Sequence, residues 1–209
     1  MTKIAVIDYG MGNLHSVGKA LERVCSKEQI LVTSNPEAIK TADKIVLPGV
    51  GAIKDCLDAF SDELRSVTLD LIKNKPTLAI CVGMQMLLES SEENGGVKCL
   101  SILDGKIVKI PTLEGIKVPH MGWNKVNFLV EHPLWKNIPN ASFFYFVHSY
   151  CCLSSSEAVS ETSHGTNFIS AIGKENIFSV QFHPEKSQKF GLQLYKNFLE
   201  DVNNVCLKF

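Results

Sequence analysis

Thr77-Leu-Ala-Ile-Cys-Val-Gly-Met-Gln85 opens with a short apolar run, Thr77 to Ile80, that stops at a cysteine and leads into a helical segment, Met84 to Ser90. A run that short and that apolar suits a strand buried on both faces of a parallel sheet. Cys81 therefore falls at a strand-to-helix junction, where unpaired backbone N–H groups and the positive end of the helix dipole stabilise a thiolate. Gly83 suits the sharp turn that lifts a nucleophile above a sheet edge, because a side chain there would crowd the turn or an incoming substrate. The N–H of Val82 is then expected to point where an oxyanion would form. Out of this context Cys81 reads as one more small buried side chain.

The surrounding sequence has the rhythm of strand-helix-strand units around a parallel sheet. Ile4 to Ile7 reads as a strand, and Leu14, Val17, Leu21 and Val24 form one apolar helical stripe after the Gly10–Asn13 turn. Ile30 to Thr33 and Lys44 to Leu47 read as strands, the latter stopped by Pro48-Gly49. The spacing of Ile53, Leu57, Phe60, Leu64, Val67 and Leu71 predicts one long helix packed on the sheet.

Beyond residue 95 the pieces are strand-like: Lys106 to Ile110, Lys125 to Phe128, Phe143 to Tyr150, and a hairpin of Phe168 to Ile172 with Ile177 to Phe182. Leu192, Leu194, Tyr195 and Phe198 close the chain on a helix. The expectation is a single α/β domain over residues 1–209, with a mainly parallel central sheet flanked by helices and added antiparallel strands in the C-terminal half.

Twenty-one basic and twenty-two acidic residues among 209 leave a net charge of -1, which offers no bulk attraction to nucleic acid or to an anionic membrane. The first apolar run is too short for a signal-peptide core, so the expected setting is the cytoplasm. Seven cysteines (25, 56, 81, 99, 151, 152 and 206) show neither a C-x-x-C pair nor zinc-site spacing, so neither a disulfide framework nor a metal or cofactor is expected.

A thiol doing acyl transfer needs a proton acceptor. Of six histidines, His183 carries its own orienter: in His183-Pro184-Glu185 an extended backbone would send both side chains to one face, with Pro184 opposing a helical path. Leu47-Pro-Gly-Val-Gly51 is the candidate for a second oxyanion donor, although the same residues also read as a strand terminator. Rival readings are a redox-sensing or non-catalytic flavodoxin-like module, which has no use for the His183–Glu185 pair, and a peptidase of the same fold. A nucleotide-binding turn is disfavoured because His15 stands where the third glycine of G-x-G-x-x-G would be.

Six motifs in order carry a resemblance: Asp8-Tyr-Gly-Met-Gly-Asn13, Leu47-Pro-Gly-Val-Gly-Ala52, Ile80-Cys-Val-Gly-Met-Gln85, Val118-Pro-His-Met-Gly-Trp-Asn124, Phe146-Val-His-Ser-Tyr150 and Gln181-Phe-His-Pro-Glu-Lys-Ser187. Over essentially its whole length the chain resembles class I, triad-type glutamine amidotransferases of flavodoxin-like fold, and within them the glutaminase subunits of imidazole glycerol phosphate synthase. The resemblance implies glutamine as substrate, a Cys81–His183–Glu185 triad, an oxyanion hole at Val50 and Val82, and glutamine-holding positions at Gly49, Gly51, Gln85, Glu93, Ser149 and Tyr150. It also implies a (β/α)8-barrel cyclase partner in histidine biosynthesis that meets Asn13, His120, Met121, Trp123 and Lys186. A paralogue feeding ammonia to a sugar-modifying enzyme of surface-polysaccharide synthesis would carry the same triad. The chain departs from the family pattern at Ala79 and Val82, and lacks a glycine near residue 99 or 101.

Overall fold

A computed structural model describes residues 2–201. Its first half winds a parallel sheet. Strand β1 (Ile4–Ile7) is followed by helix α1 (Leu14–Leu21), β2 (Ile30–Thr33), α2 (Pro36–Lys40), β3 (Lys44–Leu47), α3 (Ile53–Ala59), α4 (Asp62–Ile72), β4 (Thr77–Ile80) and α5 (Val82–Leu87). The rest is mostly strand: β5 (Ser90–Ser91), β6 (Val97–Lys98), β7 (Lys106–Lys109), β8 (His120–Phe128), β9 (Ser142–His148), β10 (Tyr150–Cys152), β11 (Ala158–His164), β12 (Thr166–Lys174) and β13 (Ile177–Val180), closed by α6 (Gln188–Asp201).

The strands β2, β1, β3, β4 and β13 lie side by side in that order and run parallel. β1, β3, β4 and β13 are buried at every position, as strands covered on both faces must be. The hairpin partner β12 pairs antiparallel with β13 and turns the sheet toward β10 and β7. From β12 a second branch runs through β11 to β8, which pairs along its length with β9. No helix among the described residues is long and apolar enough to cross a membrane.

Four sequence expectations need correction. The apolar stripe from Ile53 to Leu71 belongs to two helices, because Phe60 and Ser61 are extended and the Ser61 hydroxyl caps α4 at the N–H of Leu64 (3.4 Å). Asp62 and Glu63 then sit in a first turn whose exposed N–H groups favour acidic side chains. Phe60 keeps its place in the apolar pattern while the backbone changes direction, packing on Tyr9 with ring centroids 5.1 Å apart. The helix after Cys81 starts at Val82 and ends at Leu87, so Ser90 enters β5, and Val24 lies beyond the end of α1. Phe143 to Tyr150 is broken at Ser149 into β9 and β10.

The absent glycine near residue 101 has a visible counterpart. Ser101 adopts φ 55°, a left-handed conformation that glycine takes without strain. The described cysteines 25, 56, 81, 99, 151 and 152 are free thiols, and Cys206 lies outside the described residues.

Helix α6 passes so close to the turn at Pro184–Lys186 that a Cβ on Gly191 would stand 1.9 Å from the Pro184 carbonyl oxygen. That oxygen belongs to the backbone and cannot rotate away. Gly191→Ala is therefore expected to lower stability by about 1–3 kcal/mol, read as a lower urea midpoint at unchanged slope.

Candidate active site

The carboxyl ends of β1, β3, β4 and β13 converge on a cavity of about 750 Å³ lined by Cys81, His183, Val50, Val82, Gln85 and Glu93 among others. Open parallel sheets place ligands at this edge because the loops diverge there. Cys81 is the residue between β4 and α5 and has φ 54° and ψ −110°, a strained conformation for a side chain with a Cβ. Its N–H is held by the Val180 carbonyl of β13 (2.8 Å), and its own carbonyl accepts the first helical bond from Gln85 (3.1 Å). Buried to 3 % exposure, the residue nonetheless borders the cavity.

Two glycines allow the junction to close. A Cβ on Gly83 would lie 2.1 Å from the Leu47 carbonyl oxygen, and one on Gly49 would lie 2.6 Å from the Gly83 nitrogen. Gly49 thus packs the turn after β3 against α5, with no room for a side chain; Gly51, with φ 95°, reaches the cavity wall.

The Val82 N–H does not point freely into the cavity as expected. It donates to the Gly49 carbonyl at 3.3 Å. Because a trans peptide holds its C=O and N–H in opposite directions, the N–H of Val50 in the same peptide unit faces away from Val82. The flanking carbonyls are also engaged: the Tyr9 hydroxyl donates to Pro48 O (2.8 Å) and the Cys56 thiol to Val50 O (3.3 Å). Burial raises the pKa of Tyr9 and pushes the Cys56 thiol up to about 11, so both remain protonated donors. The two donors pin the turn on either side of the Gly49–Val50 peptide.

His183 and Glu185 meet, though by a different backbone path from the one expected. Residues Pro184–Lys186 form a single 3-10 turn with His183 as its N-cap, so the chain is not extended there. The turn folds Glu185 back until its Oε1 lies 2.8 Å from His183 Nδ1, both side chains being 1 % exposed. Ser187 Oγ fixes the turn by donating to the His183 carbonyl (2.6 Å). Asn13, expected at a partner interface, lines the cavity and donates to the same Glu185 oxygen at 3.3 Å. Burial disfavours a charged His183, yet the Cys81 sulfur and the Glu185 carboxylate outweigh it and hold the imidazolium up to about 10. The arrangement suits proton exchange between His183 and a substrate attacked by the neighbouring sulfur. With Nδ1 on Glu185, the buried Nε2 of His183 is left to the Cys81 sulfur.

Gln85, Glu93, Ser149 and Tyr150 also line the cavity. Gln85 Nε2 donates to the Tyr150 carbonyl (3.1 Å) and to Gln181 Oε1 (2.9 Å). Glu93 Oε2 accepts from the Ile53 N–H at the start of α3 (2.8 Å). Gln181 and Tyr9 both stand inside the quoted motifs, yet nothing in their spacing assigned them a task.

The interface candidates divide by strand alternation. Met121 and Trp123 are 64 % and 45 % exposed on the outer face of β8, beside exposed Phe143 on β9. Lys186 is exposed, with its Nζ 5.6 Å from the Tyr145 ring centre. His120 points inward instead, 3 % exposed, because it alternates with Met121. His120 Nδ1 lies 2.9 Å from His148 Nε2, and His148 Nδ1 lies 2.9 Å from the Tyr150 carbonyl. A carbonyl only accepts, so His148 carries its proton on Nδ1 and accepts from His120 Nδ1–H. Burial lowers the two imidazoles to about 3 and about 4, which keeps this line neutral.

Fold and site together define a cysteine-dependent amidotransferase class. The family model for class I glutamine amidotransferases matches residues 5–202, and the chain belongs to that family. The imidazole glycerol phosphate synthase subunit HisH of Nitrosococcus oceani is 53 % identical over 207 residues, covering 95 % of this chain and 97 % of that protein. The protein of the same name from Acinetobacter baylyi is also 53 % identical, covering 96 % and 98 %. Among solved structures, PurLQS from Thermotoga maritima shares the fold at a TM-score of 0.69 and 16 % identity, covering 95 % of this chain and 97 % of its own. The glutaminase domain of Trypanosoma brucei CTPS does so at 0.67 and 16 %, covering 97 % and 94 %.

Buried neutral histidines carry a stability cost in acid. His132, N-cap of the turn Pro133–Trp135, is likewise lowered by burial, to about 4. The unfolded chain takes up protons below its ordinary value near 6.5 that the fold refuses, so stability falls as pH drops from there toward the folded values. Urea midpoints at pH 7 and pH 5 check this. His132→Asn, which retains a cap onto the Leu134 N–H, is expected to remove about 1–2 kcal/mol of the loss.

Proposed function

We propose that this chain is the glutaminase subunit of an imidazole glycerol phosphate synthase, releasing ammonia from glutamine for a cyclase subunit in histidine biosynthesis. The observation that carries the chemistry is the meeting, in one buried cavity, of the strained Cys81 with a His183 held by Glu185. The synthase assignment rests on relatives 53 % identical over nearly the whole chain.

The Cys81 thiolate attacks the side-chain amide carbon of glutamine, forming a C–S bond. His183 gives its proton to the nitrogen as the C–N bond breaks, and ammonia leaves. His183, now neutral, takes a proton from water that attacks the thioester; the C–S bond breaks and glutamate departs. Glu185, steadied by Asn13, keeps the imidazole turned toward the sulfur throughout. The amino-acid end of glutamine is assigned to Gln85, Glu93, Ser149 and Tyr150, a reading supported by all four lining the same cavity as Cys81.

Both tetrahedral intermediates need donors for their oxyanion, and one candidate, Val82 N–H, is bonded to Gly49 O. Rotating the Gly49–Val50 peptide would free it and turn the Val50 N–H inward, while Tyr9 and Cys56 hold the neighbouring carbonyls. Docking of a (β/α)8-barrel cyclase is the proposed trigger of that rotation. Its contact is the exposed face carrying Met121 and Trp123, with Lys186 and Asn13 between that face and the triad. Ammonia released inside such a complex escapes protonation by bulk water.

A glutamine-directed electrophile is expected to modify Cys81 alone among the seven cysteines, read by peptide mass spectrometry. Modification elsewhere, or none with a cyclase bound, overturns the reading. His183→Ala is expected to cut ammonia release in the complex by ~10²–10⁴-fold, and unchanged turnover would assign the base to another histidine.

A further inference from the structure

We infer that Gln181 is a further catalytic residue, a fixed hydrogen-bond donor that holds Cys81 as a thiolate and receives it back when the thioester breaks. The inference rests on the proposed role of Cys81 as nucleophile.

Gln181 follows β13 and is fully buried. Its Nε2 lies 3.6 Å from Cys81 Sγ, within hydrogen-bond range for sulfur, while its Oε1 accepts from Gln85 Nε2 at 2.9 Å. A carboxamide can usually be turned over to exchange its oxygen and nitrogen. Here a chain of partners forbids it. The Tyr150 carbonyl can only accept, so Gln85 must present its nitrogen there, and the second hydrogen of that same nitrogen points to Gln181. Gln181 must then offer oxygen to Gln85, which leaves its N–H groups facing the sulfur. The Tyr150 carbonyl is itself fixed, because it also accepts from His148 Nδ1–H at 2.9 Å.

A donor aimed at sulfur favours the charged form over the thiol and over the thioester, since only the thiolate carries the full negative charge. In the first half-reaction the sulfur's electron pair becomes the C–S bond and the Gln181 contact weakens. In the second, water's oxygen bonds to the acyl carbon, the C–S bond breaks, and its electron pair returns to a sulfur that already faces an N–H. Gln181 thus offers the leaving thiolate a stabilising contact without exchanging a proton. His183 supplies the charge partner and moves protons; Gln181 supplies a donor that does neither. The relay also explains why Gln85 is buried although it lines the cavity: one of its faces orients the carboxamide that touches the nucleophile.

The experiment is the pH dependence of Cys81 carboxamidomethylation by iodoacetamide in the full chain, with the site read from the Cys81 peptide. Two variants are compared with the parent: Gln181→Leu, which removes the donor, and Gln181→Glu, which keeps an acceptor for Gln85 but sets a carboxylate against the sulfur. In both, the acidic limb of the rate profile is expected to shift upward by about one pH unit or more, further for Glu, while reactivity at high pH is retained. A merely structural role for Gln181 would alter thermal stability without moving that limb. If Gln181→Leu does not fold, Gln181→Glu decides alone. Profiles superimposable on the parent overturn the inference and leave the nucleophile assignment standing. A parent chain whose Cys81 reacts no faster than its other cysteines overturns both.

Discussion

Two backbones touch where Gly83 meets the carbonyl of Leu47, and most of the site depends on that contact. There is room for no side chain at all: a Cβ would come within 2.1 Å of the oxygen. Because the first turn of α5 can approach the end of β3 this closely, the turn at residues 48–50 lies directly against the residue after Cys81. The approach sets the Gly49 carbonyl on the Val82 N–H and forces Cys81 into its positive φ. Strain of that kind costs on the order of 1–3 kcal/mol and persists only where the surroundings over-determine it. Here they do, since β4 is paired with β3 on one side and β13 on the other.

From this constraint follows a division of labour among the parallel strands. β4 delivers the sulfur, β3 the Gly49–Val50 peptide that meets the Val82 N–H, and β13 leads through Gln181 and His183 into the turn bearing Glu185. The antiparallel half contributes in another way. β9 and β10 place Ser149 and Tyr150 on the cavity wall, while β8 offers an outer face with Met121 and Trp123 and an inner one with His120. A single strand alternation therefore sets a solvent-facing surface back to back with a neutral hydrogen-bonded line, His120 to His148 to the Tyr150 carbonyl, that ends at the cavity.

Several features were readable from residue order. The parallel strands β1 to β4 could be bounded because each is a short, largely apolar run set between polar or turn-forming residues or a helical stripe. The elbow at Cys81 and the pairing of His183 with Glu185 were legible for the same reason, that each chemistry is compact along the chain. Less could be read where local and periodic signals conflict. Ser61 breaks an unbroken apolar stripe because one hydroxyl capping a helix outweighs a spacing that both helices satisfy. The His183–Glu185 pair was found for the wrong backbone reason: residues two apart come together on a strand face or across a 3-10 turn, and Pro184 permits both.

Residue order by itself determined the elements, the family and the identity of the candidate reacting groups, because these depend on local propensity and on side chains close in sequence. Only the tertiary structure decided how those groups are held. Asn13 reaches Glu185 across 172 residues, and Gln181 reaches Cys81 across 100. His120 turned out to be inward rather than exposed, the Val82 N–H engaged rather than free, and Gly49 closely packed against Gly83. Each of these is a contact between segments brought together by the sheet, and its partner and direction are set by strand order and register, which sequence periodicity does not encode.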